Sequence, residues 1–69
     1  MSDRERDKLK ILLEHWVEHN NEHREEFAKW ADKAKALGEA EVAGLMLKAA
    51  QEMGNSSDLL AQALKRLGG

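Results

Sequence analysis

From Asp3 to Leu37 the chain contains neither proline nor glycine. Within that run, seam-forming residues recur at Leu9, Leu13, Trp16, Asn20, His23, Phe27, Trp30, Ala34 and Leu37, in alternating steps of four and three. An unbroken heptad seam of this kind is compatible with one thing, a long helix laid against other helices. Leu12, Val17 and Ala31 widen the seam into the broader face of a globular bundle. The spacing therefore predicts helix 1 over about 3–37, on the order of 50 Å long at the usual rise per residue. Ser2 and Glu5 fit a capping box at its start.

Gly38 follows the last seam residue and suits the left-handed position that ends a helix. Glu39 and Glu41 then fall in the first turn of a second helix, where negative charge is favoured. This helix is expected over about 39–53, with Val42, Leu45, Met46, Ala49, Ala50 and Met53 inward and Leu47 off the stripe beside Ala40 and Ala43. Gly54 and the polar run Asn55-Ser56-Ser57-Asp58 read as a turn rich in capping residues. A third helix follows over about 57–67, with Leu60, Ala63, Leu64 and Leu67 inward, and Gly68 and Gly69 fray. The fold class is all-α, a single domain: a long N-terminal helix packed by two shorter ones.

Helices 2 and 3 together match helix 1 in length. They either run back along it end to end or fold as a hairpin on its C-terminal half. Both layouts leave apolar surface that one chain of 69 residues does not bury. A homodimer forming a larger bundle is the expected partner state. With no cysteine, the chain has no disulfides, thiolate zinc sites or iron–sulfur clusters to support so small a core. A His/Glu metal site, self-association or close packing must do so. The net charge of −2 carries no footprint for nucleic acid. No run approaches the length of a membrane span, and the charged start Asp3-Arg4-Glu5-Arg6-Asp7 is unlike a signal peptide, so a cytoplasmic location is the default expectation.

All three histidines lie on helix 1, in the tetrads Glu14-His15, Glu18-His19 and Glu22-His23. At helical spacing, His15 with His19 and His19 with His23 can each share one ion through neutral imidazoles. A carboxylate three residues on, such as Glu22 or Glu26, can complete or orient the site. The candidate metal ligands are therefore His15, His19, His23, Glu22 and Glu26, for nickel, zinc or cobalt. A single helix supplies two or three ligands; others must come from a second copy, another helix or water. The Glu-x-x-His order of di-iron bundles is reversed here.

Two other readings account for the same residues. Asn20 and His23 sit in the seam, where a polar residue fixes register and partner number. The histidines also suit a proton-linked switch. Trp16, Phe27 and Trp30 read as core anchors, Met46 and Met53 as core filler, and the dispersed lysines as solvated faces. No nucleophile–base pair and no glycine-rich phosphate loop appears, so an enzyme is not expected.

The run Leu12-Leu13-Glu14-His15-Trp16-Val17-Glu18-His19-Asn20-Asn21-Glu22-His23, with Glu26-Phe27 and Trp30-Ala31 after it, resembles a small helical domain of unknown function found in bacteria and archaea. The shared pattern is Leu-Leu-x-His-Trp-x-x-His-Asn-x-x-His. Such domains stand alone or beside small nickel-binding proteins of the CooT type. The resemblance, over about residues 9–53, implies a metal-related role for His15, His19 and His23. This chain has no cysteine ligand of its own. The regular caps and lack of proline are also what a designed bundle would show.

Overall fold

The computed structural model describes residues 3–68 and contains two helices, α1 (Asp3–Ala36) and α2 (Ala40–Arg66). The Ser2 capping box and the fraying of Gly69 lie outside the described residues. The helices pack side by side as a hairpin, a rod of 53 × 13 × 13 Å.

The turn forms as the sequence predicts. Gly38 adopts φ +86°, a left-handed conformation that a side chain disfavours. The Gly38 amide donates to the Lys35 carbonyl at 3.0 Å and the Glu39 amide to the Ala34 carbonyl at 2.9 Å. That pair of bonds is the Schellman arrangement, and it satisfies carbonyls left open at the end of α1. Glu39 then begins α2 without a side-chain cap, its own carbonyl accepting from the Ala43 amide at 2.9 Å.

The expected third helix is absent as a separate element. α2 runs without a break through Gly54, Asn55, Ser56, Ser57 and Asp58. Gly54 and Ser57 are buried, and no positive φ occurs at Gly54. Contacts from α1 explain why these breakers do not break. The Arg24 side chain crosses Gly54, and Asn20 Nδ2 donates to Ser56 Oγ at 3.4 Å. Packing against a long partner outweighs the local preference of Gly, Asn and Ser for a turn. Of the two layouts considered, the end-to-end one is realised, as one helix.

Apart from Leu13, the inter-helix seam is built from small residues. Leu13, Ala31, Ala43 and Ala50 form the buried apolar core, joined by Gly54 and Ser57. Small side chains let the two helices approach closely, but they bury little area. Several residues expected in the core are not. Trp16 is 42% and Trp30 51% exposed, and Leu37, Val42 and Leu45 are more open to solvent than inward positions should be. Ala43, assigned to the outside, is buried instead. The physical reason is that α1 carries a wider apolar face than one helix covers: α2 occupies one side of it and leaves the other unpartnered.

Candidate metal centre

Helical periodicity divides the rod into two unlike sides. One flank of α1 carries Glu14, Glu18, Glu22 and Glu25, which with Val17, Asn21, Ala61 and Leu64 line a groove of about 410 Å³. The other flank carries Leu12, Trp16, His19, His23, Phe27 and Trp30. On that side α2 contributes Val42, Met53, Leu60 and Leu67, at helical spacing with Ser56.

The histidines form a column along α1. His19 Nε2 and His23 Nε2 are 2.9 Å apart, with the rings edge to face at 4.4 Å between centroids. His15 stacks beside His19 at 5.7 Å, and His23 stacks beside Phe27 at 5.7 Å. At 2.9 Å one ring nitrogen must carry a proton and the other a bare lone pair, so the contact uses one donor and one acceptor. His15 and His19 are exposed, while His23 and Asn20 are half-buried. The seam polar residues therefore do not project into bulk water. Asn20 has its partner inside the chain, at Ser56.

Two imidazole nitrogens this close suit a shared ion. Nitrogens bound at about 2.05 Å stand roughly 3.3 Å apart on a tetrahedral ion and about 2.9 Å apart at right-angled positions. A small rotation of either ring spans that range. The carboxylates expected to complete the set do not join it. Glu22 lines the groove on the far flank. Among the described residues no group of three or more His, Cys, Asp or Glu side chains is placed to hold a metal. A single chain thus offers His19 and His23 as a pair, with His15 stacked behind.

The acidic groove was not singled out from the sequence. Its signal was present in the glutamates of the same tetrads, Glu14, Glu18 and Glu22, followed by Glu25. It offers carboxylates, an amide and an apolar floor, and no histidine, lysine or hydroxyl.

The fold and this pair define a small all-α hairpin with clustered imidazoles on an open side. Residues 9–67 match the family described as Domain of unknown function (DUF8180), and the chain belongs to that family. It is 37% identical over 62 residues to an uncharacterized protein of Archaeoglobus fulgidus, which covers 90% of this chain and 98% of the relative. No solved structure matches the chain significantly. Among the described residues no helix is long and apolar enough to cross a membrane.

Proposed function

We propose that this chain is a non-enzymatic helical module that binds a divalent transition metal, nickel, zinc or cobalt, through His19 and His23. The observation that carries the reading is the 2.9 Å approach of the two Nε2 atoms on consecutive turns of one helix. Once the shared Nε2 proton moves to Nδ1 of its own ring, both neutral imidazoles have an Nε2 lone pair free for one ion, and imidazole suits these metals. The resemblance to domains found beside CooT-type nickel-binding proteins fits the same role. His15 flanks the pair as a third ring, while Glu22 lines the groove on the other flank.

The test is calorimetric titration of metal-free, untagged protein with Ni²⁺ or Zn²⁺ at about pH 7.5. Binding tighter than about 100 µM that disappears in His19→Ala/His23→Ala supports the reading. Weaker binding, or binding indifferent to those substitutions, removes it.

The open apolar flank favours a second reading, a homodimeric interaction module whose polar residues set register. Trp16 and Trp30 are exposed on that flank of α1, and Val42 and Leu45 on the same side of α2. Asn20 then sets the register of the hairpin through Ser56, leaving His23 as the seam residue that faces a partner.

A further inference from the structure

We propose that the metal site is completed by a second copy of this chain, packed with its apolar flank against that of the first. His19 and His23 of both copies then form one four-imidazole site. The inference rests on the metal-binding reading above and extends it to a stoichiometry and an interface.

Three observations lead here. First, one chain falls short of a site: it brings two imidazoles together, and among the described residues no third protein ligand joins them. Structural metal sites of this type are closed by four protein ligands.

Second, the molecule exposes too much surface for its mass. Its accessible area is 5470 Å², whereas a compact monomer of 7.8 kDa exposes about 4,400 Å². The excess of roughly 1,100 Å² compares with the ~800 Å² that each partner contributes to a standard interface. Part of the excess is sited where a partner would remove it. Trp16, Trp30, Val42 and Leu45 are exposed on the histidine flank, around the half-buried Leu12, Phe27 and Leu60. Two hairpins joined there make a four-helix bundle, which has the interior that a rod two helices thick lacks.

Third, the histidines stand where symmetry brings them together. With Asn20 opposite Ser56 and Arg24 opposite Gly54, α2 covers α1 from its C-terminal end back to about Leu9. The middle of that two-layer stretch lies close to His23. A two-fold axis across the rod at its middle gives the longest overlap of the two copies and places each His19–His23 pair against its mate. A two-fold axis along the rod also sets like residues at the same height. The axis across the rod stacks α1 on its copy and is the isologous arrangement that joins the two pairs; the axis along the rod leaves them on diagonal helices.

The experiment is native mass spectrometry with sedimentation equilibrium on the untagged full chain, stripped of metal and then supplied with Zn²⁺ alone. Three proteins are compared: the wild type, His19→Ala/His23→Ala, and Trp30→Glu/Val42→Glu. The last charges two exposed positions on the flank and leaves both imidazoles in place. Circular dichroism of each confirms the helices.

The expected result is one Zn²⁺ per two wild-type chains. The flank variant stays monomeric, and its Zn²⁺ affinity falls by roughly 100-fold or more as two of four ligands are lost. One Zn²⁺ per monomer, with the same affinity in the flank variant, overturns the shared site and leaves the metal reading intact. A dimer carrying two ions also overturns it. Wild-type protein that takes up no Zn²⁺ sinks both.

Discussion

Arg24 lies across Gly54: a β-carbon added there would stand 3.2 Å from Arg24 Cδ and 3.3 Å from its Nη1. Glycine inside a helix costs about 0.5–1 kcal/mol relative to alanine, so replacing it normally stabilises. Gly44, on the same helix, has nothing within 4 Å of such a β-carbon. Gly44→Ala should therefore raise stability by about 0.5–1 kcal/mol. Gly54→Ala should return less, or a loss, because the arginine must move. In an Arg24→Ala background the two substitutions should become equivalent. Urea unfolding at one fixed protein concentration measures all four variants. A deficit at Gly54 that survives removal of Arg24 would show that something else crowds this position.

The bond from Asn20 to Ser56 is long at 3.4 Å, part-buried, and joins residues far apart in sequence. A neutral bond of that geometry contributes about 0.5–1 kcal/mol at most. Asn20→Leu should leave thermal stability unchanged within about 1 kcal/mol, because the leucine extends the apolar seam. What it should lose is register. Cysteines placed at positions matched by the native pairing should cross-link less selectively in Asn20→Leu than in the parent. Undiminished selectivity would mean that the small-residue seam alone aligns the helices.

Ser57 is 3% exposed, and its hydroxyl is a buried oxygen without a hydrogen-bond partner. An orphaned hydroxyl costs roughly 1–3 kcal/mol of desolvation. Alanine keeps the close approach of α1 and α2, removes the orphan and favours the helix. Ser57→Ala should raise the unfolding midpoint by an amount equivalent to about 1 kcal/mol. If stability falls instead, the hydroxyl contributes more to the packed α1–α2 seam than its desolvation costs.

These residues also mark what periodicity reveals and what it hides. The bounds of α1 and its stop at Gly38 were legible, because a heptad seam and a left-handed glycine are local features of the chain. The continuation of α2 was not. Gly54, Asn55, Ser56 and Ser57 carry local preferences for a turn, and only Arg24, Asn20 and the burial of Ser57 override them. Those contacts come from another helix. The same limit applies to the site. The approach of His19 and His23 follows from four-residue spacing alone. That spacing brought Glu22 near both histidines but said nothing of which flank of α1 the second helix would cover. α2 docks so that Glu22 borders the groove with Ala61 and Leu64.

Trp16 and Trp30 offer an internal gauge of where a metal sits. Trp16 precedes His19 by three residues, about 4.5 Å along the helix, whereas Trp30 follows His23 by seven, about 10 Å. Both lie on the histidine flank. Cu²⁺, which imidazole also binds well, quenches tryptophan emission at short range. Adding it to wild-type protein should quench Trp16 far more than Trp30. Trp30→Phe should therefore keep most of the fractional quenching and Trp16→Phe should lose most of it. His19→Ala/His23→Ala should abolish it in both. Equal quenching of the two indoles, or quenching that persists without the histidines, would place the ion elsewhere on the rod. The acidic groove on the opposite flank, where Glu14, Glu18, Glu22 and Glu25 gather, is the competing location, and neither indole lines it.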